Sequence, residues 1–186
     1  MSTSDKTNLL HLGTKKVVIV DYGAGNIQSI FFALERLGYQ GILSNNPDEI
    51  QQADRVIFPG VGQASSAMTK LKKSGLDTVI PTLKQPVLGI CLGMQLMCNS
   101  SEEGNVTGLG IFDVDVVRFS NAVKVPQMGW NTIYDLKSKL FAGILEKEFM
   151  YLVHSFYAPS CNQTIAVTNY INSFSRMPAN NFDFKS

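Results

Sequence analysis

Several residue types are scarce in this sequence of 186 residues, and each scarcity excludes a class of protein. Three cysteines at uneven spacing and two histidines supply neither a disulfide framework nor a zinc site. Hydrophobic residues make up 45% but form no run near the roughly 20 residues that cross a bilayer. Lysine and arginine (16) nearly balance aspartate and glutamate (15), so charge gives no reason to expect nucleic-acid or membrane binding.

The chain reads as a single domain behind a short polar segment. Residues 1–14 lack the basic start and apolar block of a secretory signal, and we interpret them as a polar extension. No repeat, linker or low-complexity segment divides residues 15–186. The odd number of cysteines fits a reducing compartment, which predicts a cytoplasmic protein. We expect no metal and no cofactor.

The first hundred residues alternate β-branched runs with helical patterns. "KKVVIV" predicts a strand, and "IQSIFFALERLG" predicts a helix that ends at a glycine. Asn46 and Pro47 are typical of the start of a second helix. "DRVIF" and "PVLGI" predict two further strands. This alternation predicts an α/β fold with three layers, in which a mostly parallel, flavodoxin-like central sheet has helices on both faces.

After Gly104 the pattern changes to strand-like pieces joined by short turns. The pieces predict an antiparallel or mixed C-terminal portion that extends the same sheet. Pro159 to Asn162 has the composition of a hairpin turn.

The segment "PVLGICLGMQLM" places Cys91 between Gly89 and Gly93, where a strand runs directly into a helix. Such a turn forces its central residue into a strained conformation, and glycines on either side remove collisions with neighbouring side chains. The same layout with serine is the nucleophile elbow of hydrolases. The start of the following helix favours a thiolate, so we predict a nucleophilic Cys91. The alternative is a buried cysteine with incidental glycines, which is how we interpret Cys98 within the helix.

A second glycine-containing loop, "FPGVG", also follows a predicted strand. Its glycines would let the backbone N–H groups approach a ligand and form an oxyanion site, although an ordinary turn has the same composition.

The motifs "DYGAGN", "PGVG", "GICLGMQLM", "VPQMGWN" and "YLVHSFYA", in this order and spacing, closely resemble the class I (triad-type) glutamine amidotransferases. More narrowly, they resemble the glutaminase subunits of imidazole glycerol phosphate synthase, over about four fifths of the chain. The resemblance implies hydrolysis of L-glutamine to glutamate and ammonia through a cysteine thioester. It also implies a heterodimer with a (β/α)8-barrel synthase subunit, which receives the ammonia for histidine biosynthesis.

The resemblance also assigns roles to individual residues. It implies that Cys91 is the nucleophile and that the oxyanion is held by the segment containing Gly60 and Val61 together with the N–H of Leu92. The substrate glutamine would contact the side chains of Gln95 and Glu103 and the backbone of Ser155 and Phe156.

Four further residues match positions that face the synthase subunit in this family: Asn26, Gln127, Trp130 and Tyr151. Trp130 and Tyr151 are also large apolar side chains, and the sequence alone favours a place in the hydrophobic core for each. Gln127 departs from the histidine that is usual in this family, which puts the coupling to the partner in question.

The family's C-terminal block with the catalytic histidine and glutamate has no match in the sequence, although Lys185 and Ser186 resemble the end of that block. The two histidines present are His11 and His154, and the latter matches a family position that is not the catalytic base. Three explanations are open: a truncated or frameshifted product, a degenerate relative that keeps the partner surface, or recruitment of His154 as base. We also expect an uncovered sheet edge and low stability without the partner.

Two alternatives to glutamine hydrolysis for histidine biosynthesis therefore stay open. One is a catalytically silent subunit that binds the synthase. The other is a paralogue that supplies ammonia for amidino-modified surface sugars, which short motifs do not distinguish from the histidine-pathway subunit.

Overall fold

The computed structural model describes residues 15–170 of the chain. The predicted polar extension, with His11, and the C-terminal residues from 171 to 186, with Lys185 and Ser186, lie outside the described residues.

The described part contains eleven strands and five α-helices. The strands are β1 Val17–Val20, β2 Gly41–Ser44, β3 Arg55–Phe58, β4 Val87–Gly89, β5 Cys98–Ser101, β6 Val106–Thr107, β7 Phe112–Arg118, β8 Gln127–Tyr134, β9 Phe149–His154, β10 Phe156–Tyr157 and β11 Val167–Thr168. The helices are α1 Ile27–Arg36, α2 Pro47–Gln51, α3 Ala64–Lys73, α4 Leu76–Val79 and α5 Leu92–Leu96. Short 3-10 helices span Ile80–Thr82 and Lys139–Phe141.

The first four strands form the predicted parallel sheet, in the order β2-β1-β3-β4. Alternate residues of β1 belong to two different hydrophobic clusters. Val18 and Val20 pack with residues of α2, α3 and α4, whereas Val17 and Ile19 pack with residues of α1. Because both faces of β1 are covered by helices, its four residues are all buried. The predicted three-layer α/β architecture is therefore confirmed.

The predicted helix starts are present. The side chain of Asn26 caps α1 by accepting a hydrogen bond from the Ser29 N–H, and Asn46 caps α2 with Pro47 at the first helical position. These capping residues determine where each helix begins. The loop before α1 lies at the carboxyl end of the parallel sheet.

The second half differs from the prediction in its connectivity. It forms two further sheets, a mixed one in the order β10-β7-β5-β6 and an antiparallel one in the order β11-β8-β9. The expectation of one continuous sheet is therefore wrong, whereas the mixed and antiparallel character is confirmed. The segment from Pro159 to Asn162 is not a hairpin turn, because β10 pairs with β7 and β11 pairs with β8.

Candidate active site

The predicted turn at Cys91 is present between the end of β4 and the start of α5. Cys91 has φ 53° and ψ −117°, a conformation that L-residues rarely adopt. Such a conformation costs about 1–3 kcal/mol and persists only where the surrounding structure fixes it. The residue that the sequence predicts as the nucleophile therefore has a strained backbone.

Close packing around the turn explains the two flanking glycines. A Cβ at Gly89 would lie 2.7 Å from the Cα of Met94, and a Cβ at Gly93 would run into the carbonyl group of Phe58. The Phe58 carbonyl also accepts a 3.0 Å hydrogen bond from the Ile90 N–H. The sharp turn is thus held directly against the neighbouring strand β3.

Cys91 is exposed, and it lines an open cavity of about 350 Å³ between α1 and the edge strand β4. Apolar side chains form much of the wall, including Leu34 of α1, Leu88 of β4 and Ile90 just after β4. A small molecule in this cavity would therefore contact Cys91.

The electrostatics of the thiol differ from the prediction. Although the residue as a whole is exposed, partial burial of its thiol raises the pKa of Cys91 above the usual value, and the negative charge of Glu103 raises it further. The Leu92 N–H bonded to the side chain lowers the pKa, but not enough to reverse the shift. Helix α5 is only five residues long, and burial of the thiol outweighs the stabilisation of the thiolate by the N–H at its start. The expectation of a thiolate favoured at rest is wrong.

The loop predicted to hold an oxyanion lies beside the turn. A Cβ at Gly60 would lie 2.8 Å from the carbonyl carbon of Leu92 and 2.9 Å from its Cβ. Val61 is exposed and lines the same cavity as Cys91. The fold thus brings together Gly60, Val61 and Leu92, from two loops separated by about thirty positions.

Sequence reasoning missed Tyr22, which supports this loop. Its buried hydroxyl donates a 2.8 Å hydrogen bond to the Pro59 carbonyl, and its ring packs on Phe58 with centroids 5.4 Å apart. Burial, with a smaller effect of the nearby Cys91, raises the pKa of Tyr22. The signal available in the sequence was a tyrosine directly before the glycine loop that follows β1.

Of the two predicted substrate-binding side chains, Glu103 is close enough to Cys91 to raise its pKa. Its Oε2 also accepts a 3.3 Å hydrogen bond from the N–H of Ala64, the first residue of α3. Burial raises the pKa of Glu103, and this backbone N–H opposes the shift. Gln95 is buried at 8% exposure, and its Oε1 has no hydrogen-bond partner among residues 15–170.

Ser155 and Phe156 lie where β9 passes into β10. The Ser155 carbonyl accepts a hydrogen bond from the Phe119 N–H, which fixes the end of the mixed sheet. Phe156 packs against the core cluster that includes Leu92 and Met94 of α5. The backbone of this segment is therefore anchored to the same core as the turn.

His154 is not joined to Cys91 by a hydrogen bond in the described part of the chain. Its Nδ1 lies 2.8 Å from the Phe156 carbonyl oxygen, and its ring packs on Phe119. Burial lowers the pKa of His154, and the Phe156 carbonyl partly opposes the shift. These contacts speak against recruitment of His154 as the base.

The residues predicted to face a partner divide into two groups. Trp130 and Tyr151 are 68% and 53% exposed and pack edge to face on the outer side of the β8–β9 hairpin, with centroids 5.4 Å apart. The alternative of a core position is therefore wrong for both. Asn26 is exposed beside the Cys91 cavity, whereas Gln127 is 1% exposed and lies on the inner side of the hairpin.

The other two cysteines, Cys98 and Cys161, lie outside the turn at Cys91. Cys98 is buried as predicted, but it begins β5 rather than continuing the helix, and burial raises its pKa to about 12. Cys161 follows β10. Within residues 15–170 no cluster of His, Cys, Asp or Glu is arranged to hold a metal ion, and no helix there is long and apolar enough to cross a membrane.

Comparison with known proteins identifies the class to which this fold and turn belong. The glutamine amidotransferase class-I family model matches residues 18–179. A glutamine amidotransferase from Thermotoga maritima has the same fold, with TM-score 0.55 and 15% identity over 90% of this chain and 73% of its own. A second glutamine amidotransferase structure gives TM-score 0.61 and 14% identity over 87% and 90%. The chain belongs to the class-I glutamine amidotransferase family.

More similar sequences place the chain within that family. The HisH subunit of imidazole glycerol phosphate synthase from Bacteroides thetaiotaomicron is 56% identical over 163 residues, which are 86% of this chain and 83% of the relative. The corresponding subunit from Yersinia pseudotuberculosis is 44% identical over 161 residues, covering 85% and 82%. The chain therefore belongs to the HisH family of glutamine amidotransferase subunits, which confirms the family predicted from the sequence motifs.

Proposed function

We propose that this chain hydrolyses L-glutamine at Cys91 and passes the ammonia to a (β/α)8-barrel synthase subunit that makes imidazole glycerol phosphate. The observation that carries the proposal is the strained, accessible Cys91 beside the Gly60 loop, in a chain that belongs to the HisH subunits. We further propose a cytoplasmic location and a heterodimer as the working form.

In the proposed reaction, the Cys91 sulfur forms a bond to the side-chain amide carbon of glutamine. The carbonyl oxygen becomes an oxyanion, which the N–H of Leu92 and the Gly60–Val61 segment stabilise. The C–N bond then breaks as the thiol proton is delivered to the departing nitrogen, which leaves as ammonia. Water attacks the remaining thioester, releases glutamate and restores the thiol.

Two residues near Cys91, Gln95 and Glu103, support binding of glutamine at this turn. The unpartnered Oε1 of Gln95 is an acceptor suited to a substrate N–H group, because a buried acceptor without a partner is costly. The Glu103 carboxylate suits the substrate ammonium group, and a bound cation would also cancel the charge that raises the Cys91 pKa. Backbone groups of Ser155 and Phe156 would position the carboxylate.

A second candidate, a silent subunit that binds the synthase, is favoured by one observation. Cys91 has a raised pKa, and no histidine is hydrogen-bonded to it within residues 15–170. A thiol in this state reacts slowly unless a base takes its proton. Binding through the exposed Trp130–Tyr151 pair does not need that base.

The two candidates are separated by measuring glutamate release and complex formation on the same preparations. The hydrolase predicts release that exceeds a Cys91→Ser control and rises when the synthase subunit from the same genome is added. Added imidazole, an external base, should raise the rate further. Co-migration with the synthase but no release above the control, even with imidazole, would favour the silent subunit. Absence of both would contradict both candidates.

A further inference from the structure

Lys70 of α3 contacts the glycine loop that follows β1. Its Nζ donates a 2.8 Å hydrogen bond to the carbonyl oxygen of Gly23, which lies 47 positions away in the sequence. Its side chain also runs beside Gly23, where an added Cβ would lie 3.8 Å from the Cδ of Lys70. The N–H of Gly23 donates a 3.1 Å hydrogen bond to Asp21 Oδ1. Both polar backbone groups of Gly23 are therefore held, one of them by a helix from a distant part of the chain.

The backbone of this loop needs such contacts. Gly23 has φ +80° and Gly25 has φ +128°, values that glycine adopts readily and other residues rarely adopt. Because glycine also has the greatest backbone freedom, a loop with two glycines has several conformations open to it unless contacts favour one. A hydrogen bond from an ammonium group is stronger than one between neutral groups. The bond from Lys70 therefore favours one conformation of the loop.

The residues on either side of Gly23 contact Pro59. The Tyr22 hydroxyl donates a 2.8 Å hydrogen bond to the Pro59 carbonyl. Gly25 lies so close that an added Cβ would be 2.8 Å from the Pro59 Cβ. Pro59 is joined to Gly60, whose N–H belongs to the segment predicted to stabilise the oxyanion. A displacement of Gly23 would therefore reach Pro59 through both neighbours.

Helix α3 gives Lys70 a fixed base. The N–H of Ala64, its first residue, donates a 3.3 Å hydrogen bond to Oε2 of Glu103, a predicted substrate-binding residue. Lys70 lies about two turns further along the same helix. Four residues of α3 are buried in the core: Ala64, Ala67, Met68 and Leu71. One helix thus contacts both Glu103 and the loop that supports Pro59.

We propose that Lys70 is a positioning residue. By holding the carbonyl oxygen of Gly23, it keeps Tyr22 and Gly25 against Pro59 and so sets the orientation of the Gly60 N–H. Lys70 donates to the backbone of the loop, so it acts on the reaction through that loop. Its effect on the reaction rests on the proposed hydrolysis of glutamine, whereas its effect on Gly60 does not.

The amide signals of the glycines test the effect on Gly60 without any turnover. The full chain is labelled with ¹⁵N-glycine and compared with three variants. Lys70→Met removes the ammonium donor and keeps a long side chain, and it should shift the amide signals of both Gly23 and Gly60. Lys70→Arg keeps a donor and should return the Gly60 signal towards its wild-type position. Lys72→Met changes a neighbouring exposed lysine and should leave both signals in place.

Lys70 is exposed, so its substitution leaves the core intact and the spectrum of Lys70→Met can be read. A shift of the Gly23 signal alone would show a contact without influence on the oxyanion segment. A Gly60 signal that Lys70→Met leaves in place would therefore overturn the proposal.

Kinetics of the chain together with the synthase subunit test the effect on the reaction. Lys70→Met should lower kcat about threefold to tenfold with little change in KM, because the orientation of a donor acts mainly on the transition state. Lys70→Arg should recover most of the loss, and Lys72→Met should keep the wild-type kcat. An unchanged kcat of Lys70→Met in an active complex would also overturn the proposal. If the wild type releases no more glutamate than Cys91→Ser, the proposed function fails, and the Gly60 signal alone decides the role of Lys70.

Discussion

The hydroxyl of Tyr22 donates to the carbonyl oxygen of Pro59 at 2.8 Å, and this bond fixes the peptide that joins Pro59 to Gly60. In a planar trans peptide the C=O and N–H groups point in opposite directions. By holding the oxygen towards the core, Tyr22 therefore turns the Gly60 N–H away from the core. A residue before the first glycine loop thus sets the orientation of the loop beside Cys91.

We predict that Tyr22→Phe lowers kcat for glutamine hydrolysis about tenfold with little change in KM, because donor orientation acts mainly on the transition state. The variant should also lose about 1 kcal/mol of unfolding free energy, since the Pro59 carbonyl is left without its donor. Steady-state kinetics and denaturant melts measure both effects. Tyr39→Phe, on the α1 side of the sheet, is the matched control and should leave kcat unchanged. Equal losses of kcat in the two variants would contradict the role of Tyr22.

The contact between Gly60 and Leu92 predicts the effect of a single methyl group. Gly60→Ala places a Cβ within 2.9 Å of Leu92, so the loop must move away from the turn. Overpacking of this kind costs about 1–3 kcal/mol, and we expect kcat to fall at least about tenfold. Gly38→Ala is the control: Gly38 has φ +78° and no atom within 4 Å of an added Cβ, so it tests backbone strain alone. Full activity of Gly60→Ala would contradict a role for the close contact between Gly60 and Leu92.

The raised pKa of Cys91 predicts how its alkylation depends on pH. Only the thiolate reacts, so the rate with iodoacetamide should rise with pH and reach its midpoint above that of an ordinary thiol. Glu103→Gln removes the negative charge that disfavours the thiolate, and the midpoint should move to lower pH. Glu102→Gln changes the neighbouring exposed carboxylate and should leave the midpoint in place. A shift to higher pH in Glu103→Gln would contradict the assigned electrostatics.

The exposed Trp130–Tyr151 pair predicts a partner effect that is separate from folding. Trp130→Ala should weaken binding to the synthase subunit by about 2 kcal/mol or more, roughly 30-fold in Kd, if the pair is central to the interface. Because both rings are exposed, the loss of unfolding free energy should stay near the 0.5–1.5 kcal/mol range of one aromatic pair. Calorimetric titration measures binding, with Ile42→Ala on the edge strand β2 as control. Unchanged binding by Trp130→Ala would remove the pair from the interface.

The first half of the fold is predictable because its signals are local. The strand runs, the Asn46–Pro47 helix start and the glycines around Cys91 each act within a few residues. Signals of this short range are sufficient to predict the turn at Cys91. Strand pairing in the second half depends instead on distant contacts. The composition of residues 159–162 therefore predicts a hairpin turn wrongly, because their flanking strands belong to different sheets.

The wrong predictions at the candidate active site also arise from contacts between residues that are distant in the sequence. The thiolate expectation rests on the start of α5 and leaves out the burial and the Glu103 charge that the fold brings to Cys91. Trp130 and Tyr151 are apolar in composition, and only the register of β8 with β9 shows that they share the outer face. Tyr22 becomes significant only through the hydrogen bond that Pro59 accepts from it.

The most direct test of the central claim is covalent labelling with a chloroketone analogue of glutamine, read by peptide mass mapping. If Cys91 is the nucleophile of a glutamine site, the adduct should form on Cys91 in preference to Cys98 and Cys161. Excess L-glutamine should then slow the labelling, whereas excess L-alanine should not. Labelling spread over all three cysteines, or labelling of Cys91 that L-glutamine does not slow, would contradict the account.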